Sequence, residues 1–75
     1  MKTPAKSQVK KMGRNLARLR DAGGMTQEVI AEKAEMHWRH YQKIEAGEIA
    51  PGFHALVRLK RALACTWDEL FGSIQ

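Results

Sequence analysis

Apolar and polar positions fall at helical spacing along most of this chain. Val9, Met12, Leu16 and Leu19 recur at intervals of three and four, while Lys10, Lys11, Arg14 and Arg18 take the opposite side, the pattern of an amphipathic helix. Order is expected to begin near Val9. Residues 1–8 are polar, hold Pro4 and read as a flexible basic arm ahead of a single domain over residues 9–75. Gly23-Gly24 ends the first helix. Thr26 then offers an N-cap and Glu28 a first-turn negative charge, so a second helix is predicted over residues 27–34 with Ile30, Ala31 and Ala34 inward. A third fits residues 37–46: Tyr41, Ile44 and Glu45 share one face, and Arg39, Gln42, Lys43 and Ala46 share the other. Gly47 stops it.

Pro51-Gly52 leads into a fourth helix whose apolar positions are Phe53, Leu56, Val57, Leu59 and Leu63, with Arg58, Lys60 and Arg61 on its solvated side. Thr66, Trp67, Asp68 and Glu69 match the capping-box pattern, in which the Thr hydroxyl and the Glu carboxylate serve each other's backbone donors, and open a short fifth helix. Trp67, Leu70 and Phe71 are expected to bury against the bundle. The prediction is an all-α domain of five helices.

At 75 residues the chain is one small domain near the lower size for a self-sufficient core. Thirteen Lys and Arg against eight Asp and Glu give a net charge of +5, which suits a polyanionic partner and suits mere solubility equally well. Cys65 is the only cysteine, so neither an internal disulfide nor a cysteine-based zinc cluster can form; it reads as a small apolar residue in a reducing compartment. The N-terminal stretch lacks the apolar run of a signal peptide, and no segment has the length of a membrane span, so a cytoplasmic location is expected. His37 and His40 lie three apart with no third ligand near them, so no metal and no cofactor is expected. No nucleophile with a positioned base, glycine-rich phosphate loop or carboxylate pair appears, which argues against an enzyme. Lys2, Lys6, Lys10 and Lys11 are either a solvated charge run or an arm that reaches phosphates or the minor groove.

The stretch from Met25 to Gly47 carries two short helical patterns separated by a few non-periodic residues, and the second of them, the third predicted helix, displays Trp38, Arg39, Gln42 and Lys43 outward. Leu19-Arg20, Met25-Thr26-Gln27-Glu28, Ala31, Ile44-Glu45-Ala46-Gly47, Pro51 and Asp68-Glu69-Leu70-Phe71 stand in the order and spacing of one family. Over residues 9 to 72 the chain resembles the phage repressor and Cro family of helix-turn-helix regulators, often called XRE-like, which implies a lambda-repressor-like fold. In that family the second helix crosses the DNA backbone and the third lies in the major groove. The resemblance therefore makes helix 37–46 the reading helix and matches Trp38, Arg39, Gln42 and Lys43 to its base-contacting sites.

Side-chain chemistry is compatible with those roles. The Arg39 fork can donate two hydrogen bonds to O6 and N7 of guanine, a pair worth about 1–3 kcal/mol of discrimination. Gln42 can serve adenine, and Lys43 can serve guanine or a phosphate. Trp38 either packs on a thymine methyl or a sugar, or folds back as an apolar lid over the turn. By the resemblance Gln27 bonds a phosphate at the start of the second helix, where the helix dipole favours an anion. Thr26 caps that turn, with DNA contact as its second role. The family also pairs an arginine ending the first helix with a glutamate ending the third, here Arg20 and Glu45, an architectural role.

Three positions depart from the family pattern. Glu35 stands where the turn usually has glycine, so the backbone there either takes a positive φ with a side chain or turns differently. Ala64 stands where glycine is common before the fifth helix. His37 replaces the usual Ser or Thr cap; it is a weaker cap, an exposed turn residue or, when protonated, a phosphate contact.

The resemblance further implies a homodimer on an approximately palindromic double-stranded operator, with half-sites about 34 Å apart. Trp67, Phe71 and Ile74 are the candidate dimer surface, unless Trp67 and Phe71 lie wholly inside. The function expected is a small transcriptional regulator, in the setting of a restriction–modification controller, a Cro-like repressor or an antitoxin. The alternative is a protein-interaction module that binds a partner such as a toxin through Trp38 and Tyr41.

Overall fold

The computed structural model describes residues 6–72, and among these every regular element is a helix. In chain order they are α1 (Lys6–Ala22), α2 (Gln27–Lys33), α3 (Trp38–Glu45), α4 (Phe53–Leu63) and α5 (Trp67–Phe71). The first helix starts at Lys6, earlier than the onset expected near Val9. Its first turn is polar, and helix propagation from the packed Met12–Leu16 segment needs no apolar residue there. Lys2 and Pro4 of the expected arm, and Ile74 of the expected dimer surface, lie outside the described residues.

Four of the helices end in the same way. After each of them one residue takes a left-handed backbone, and two backward hydrogen bonds close the last turn: Met25 N–H to Arg20 O, Met36 to Ala31, Glu48 to Lys43 and Cys65 to Lys60 are the longer of the two in each case. Glycine fills the left-handed position at Gly24 and Gly47, whereas Glu35 at φ 54° and Ala64 at φ 52° do so with a side chain. Of the two alternatives for Glu35, positive φ with a side chain is the one realised.

The core gathers Met12 and Leu16 from α1, Ile30, Ala31 and Ala34 from α2 and its cap, Tyr41 and Ile44 from α3, and Leu59, Cys65 and Leu70. The thiol of Cys65 is buried, and burial first, then the neighbouring Glu69 carboxylate, raises its pKa.

Three expectations about the C-terminal half are corrected. Phe53 is 72% exposed, because it is the first residue of α4 and the helix packs through Ala55 and Leu59, two and six residues later. Trp67 and Phe71 also stay at the surface, 41% and 38% exposed. A helix of five residues buries one side only, and Leu70 occupies it. Trp67 and Phe71 instead stack on each other with centroids 5.7 Å apart, and the Lys60 ammonium sits 5.3 Å over the indole. Arg58 is not simply solvated, since its Nε donates to the Ala34 carbonyl at 2.8 Å and ties α4 to the end of α2.

Two contacts fix α1 against the rest of the molecule. Gly13 meets the end of α3 backbone to backbone: a β-carbon there would lie 2.3 Å from the Glu45 carbonyl oxygen and 2.8 Å from that of Ile44. Asn15, 2% exposed, donates from Nδ2 to the carbonyls of Glu69 and Leu70 and accepts from Arg18 at Oδ1. The α5 carbonyls, which a helix that short cannot satisfy itself, thereby find a donor.

Candidate nucleic-acid interface

The turn from α2 to α3 is built by local chemistry. Thr26 Oγ1 accepts from the Val29 N–H at 3.1 Å and caps α2. His37 caps α3 with its ring: Nδ1 accepts from the Arg39 N–H at 3.1 Å, while the residue stays exposed. Between the two helices the left-handed Glu35 turns the chain, and the Arg58 guanidinium holds the Ala34 carbonyl beside it.

A polar chain then locks α3 onto α1 and α2. Arg20 makes a bidentate pair with Glu45, Nε and a terminal nitrogen each 2.9 Å from a carboxylate oxygen. Its remaining nitrogen donates to the Met25 carbonyl at 2.8 Å. Gln27 Nε2 donates to the same carboxylate at 2.9 Å, and Gln42 Nε2 donates to Gln27 Oε1 at 3.3 Å. Burial by itself would raise the Glu45 carboxyl, but the hydrogen bonds from Arg20 and Gln27, with the Tyr41 hydroxyl nearby, outweigh it and hold the group below its ordinary 4.5. The bonds to Glu45 raise Arg20 in turn. The Tyr41 phenol is raised, by burial first and then by the Glu45 carboxylate beside it. Tyr41 is fully buried, so it is not an outward aromatic for a protein partner.

On the outer side of this lock lies an open groove. Gln27 from α2 and Trp38, Arg39, Gln42 and Lys43 from α3 all line it, because residues one and four apart on α3 fall on the side opposite Tyr41 and Ile44. Trp38 stands in the groove wall, 38% exposed. Thr26 and His37 sit at the two helix starts, where they cap. Ala46 and Glu48 complete the lining. Glu48 was not among the residues singled out from the sequence; it follows the stop glycine, and nothing in the helical periodicity points to it. The five convergent side chains are hydrogen-bonding or aromatic, held on rigid helices, and carry donors that suit base edges and phosphates. Among the described residues no group of three or more His, Cys, Asp or Glu is placed to hold a metal.

A short helix, a tight left-handed turn and a second helix with an outward polar groove define the class: a DNA-binding regulator of the helix-turn-helix type. Comparison with known proteins gives the same answer. Residues 11–70 match the family described as helix-turn-helix domain, and the chain belongs to that family. The fold matches the high-resolution crystal structure of the restriction-modification controller protein C.AhdI from Aeromonas hydrophila, with a TM-score of 0.83 and 28% sequence identity over 87% of this chain and 98% of that one. No curated protein is similar enough to count as a relative. The resemblance to phage repressors and Cro thus holds, and the chain is a DNA-binding transcriptional regulator. No described helix is long and apolar enough to cross a membrane.

Proposed function

We propose that the protein reads double-stranded DNA by laying α3 in the major groove, with Arg39, Gln42 and Lys43 toward base edges, Trp38 against a sugar or a thymine methyl, and Gln27 with the start of α2 on a phosphate. The observation that carries this reading is the convergence of these five side chains on one open groove. Thr26 and His37 contribute by setting the two helix starts, where free N–H groups can meet phosphates. Arg20 and Glu45 act behind the groove, as the pair that sets the tilt of α3.

One such helix contacts only a few base pairs, too few for selectivity within a genome, so the working unit is a homodimer on an approximately palindromic operator. The exposed Trp67–Phe71 stack supports α5 as the surface between the two copies, and Ile74 is assigned to it from the sequence alone. The protein works in the cytoplasm, without catalysis and without a cofactor. The likeness to a restriction-modification controller supports that regulatory setting over a phage repressor or an antitoxin.

The test is a gel-shift titration on the DNA upstream of the protein's own gene, with Arg39→Ala beside wild type, two salt concentrations and a scrambled competitor. Competitor-resistant binding that Arg39→Ala loses while staying folded is the expected result. Weak, unselective binding indifferent to Arg39→Ala would overturn the assignment of α3 as the reading helix at this site and turn attention to a protein partner such as a toxin. Sedimentation of Phe71→Glu against wild type tests the dimer surface, and an unchanged dimer would remove α5 from it.

A further inference from the structure

The cations of this protein are not concentrated on its reading helix. The groove holds Arg39 and Lys43 against Glu48, while Glu45 is already engaged by Arg20. Net charge there is small. Beside the groove, α2 and its turn carry Glu28, Glu32 and Glu35 against Lys33, and α5 carries Asp68 and Glu69. The largest excess lies on α1, where Lys6, Lys10, Lys11, Arg14 and Arg18 share one side of the helix with only Asp21, at its far end, opposing them. A spacing of three and four residues keeps them in one stripe. The fourth helix carries Arg58, Lys60 and Arg61 without an acid, but Arg58 is bonded to the Ala34 carbonyl and Lys60 lies over Trp67.

Arg18 donates a hydrogen bond to Asn15, but no side chain of the α1 stripe is engaged in an ion pair: among the described residues the ion pairs are those of Arg20 with Glu45 and with Asp21, so none of the five is neutralised. Lys6, Lys10, Arg14 and Arg18 are exposed and Lys11 partly so. Lys11, Arg14 and Arg18 converge on a cleft floored by Asn15, and Asn15 is anchored to α5, so the cleft has a rigid base. The other side of the stripe adjoins the reading groove, because Lys10 packs directly over Gly47, the residue between the groove-lining Ala46 and Glu48. From Lys6 to Arg18 the stripe is about 18 Å long at 1.5 Å per residue, roughly half a turn of DNA.

We propose that the α1 stripe is a second DNA-backbone surface, engaging phosphates that flank the segment read by α3 and supplying much of the salt-dependent affinity that the nearly balanced groove cannot. The inference rests on the DNA-reading role of α3 for its placement, but its electrostatic effect does not depend on base sequence. Phosphate contacts release counterions whatever the bases are. The division of labour is therefore spatial: α3 selects, α2 sets its register on a phosphate, and α1 holds.

The experiment compares wild type, Arg39→Ala and a triple variant, Lys10→Gln with Lys11→Gln and Arg14→Gln, on an operator duplex and on a scrambled duplex across a salt series. Glutamine keeps the Cγ that packs on Gly47, and thermal melts verify that each variant is folded. With a slope of about −0.9 in log K against log salt per phosphate contact, the triple variant should be shallower than wild type by roughly 2–3 on both duplexes. Arg39→Ala should lose selectivity for the operator with a slope change of about 1 or less. An unchanged slope in the folded triple variant on both duplexes overturns the stripe and points to an acidic protein surface as its partner. A wild type that shows the stripe's slope on both duplexes, yet no preference for the operator, keeps the stripe and refutes the reading of bases by α3 at that operator. Failure of wild type to bind either duplex at low salt refutes both.

Discussion

Gly13→Ala separates packing from helix propensity by the sign of its effect. Alanine in a helix interior is favoured over glycine by about 1 kcal/mol, so propensity alone predicts a more stable protein. The structure predicts the reverse. A methyl at Gly13 would sit 2.3 Å from the Glu45 carbonyl oxygen and 2.8 Å from the Ile44 one. Both are backbone atoms at the end of α3, and no side-chain rotation relieves the contact. Reaching ordinary contact distance requires α1 and α3 to separate by about 1 Å, in a core that resists such movement. Overpacking of this kind costs typically 1–3 kcal/mol, and displacement of α3 also stretches the Arg20–Glu45 bonds. After the propensity gain of about 1 kcal/mol the packing cost leaves a net loss of up to about 2 kcal/mol, or up to roughly 16 °C in Tm for a domain of this size, with the strain on the Arg20–Glu45 bonds adding to it. The assay is thermal unfolding by far-UV circular dichroism with Ala17→Gly alongside, which reports the propensity of the same helix at a site about one turn from the clash. Operator affinity should fall with stability, since α3 is the element displaced. A Gly13→Ala protein as stable as wild type, or more so, would refute the argument that this contact sets the position of α3.

At the other glycine-type corner the substitution runs in the opposite direction: Ala64→Gly relieves a left-handed backbone at φ 52°, and a relief of about 1–2 kcal/mol less about 0.4–1 of added unfolded-state freedom should raise Tm by a few degrees. Asn15→Ala leaves the Glu69 and Leu70 carbonyls without their donor; chemical denaturation should show a loss of about 1–3 kcal/mol, with α5 fraying first in hydrogen exchange. Glu45 titrates below its ordinary 4.5 in the folded protein, so its contribution is complete above that value and drains away as pH falls through the folded-state pKa. Wild type should accordingly lose its stability advantage over Glu45→Gln in melts taken at progressively lower pH below 4.5, and an advantage constant across that range would deny the linkage.

Much of the fold was legible because it is repetitive at the scale of one helix. Val9 to Leu19 and Ile30 to Ala34 carry the 3.6-residue period, and the Gly23-Gly24, Gly47 and Thr66 signals mark ends by known backbone chemistry. Periodicity leaves Trp67 and Phe71 open between the core and a dimer surface and sets Phe53 among the apolar positions of its helix, because it ranks positions by hydrophobicity, whereas exposure depends on how many neighbours an element has. Phe53 heads a helix and Trp67 and Phe71 share one of five residues, so neighbours run out before the aromatics do. Gly13 escaped notice for another reason. Its partner is the backbone of a residue more than thirty positions along, and a glycine inside a helical pattern carries no label of what approaches it. The groove residues of α3 came from period and resemblance together, while the link from Gln42 through Gln27 to Glu45 depends on rotamers that no linear pattern encodes.

That link bears on how this regulator would diverge. With its Nε2 donating to Gln27 at 3.3 Å, the Gln42 amide is held in one of its two orientations, and on the proposed reading that orientation decides how it meets adenine's N6 and N7. A substitution at Gln27 would free the amide and alter the base preferred at Gln42 without touching a base itself. On the proposed reading, then, the recognition alphabet of this helix is not a row of separable letters: new operators would be reached by paired changes across the two helices, and single-residue swaps at Gln42 would tend to blur specificity before they redirect it.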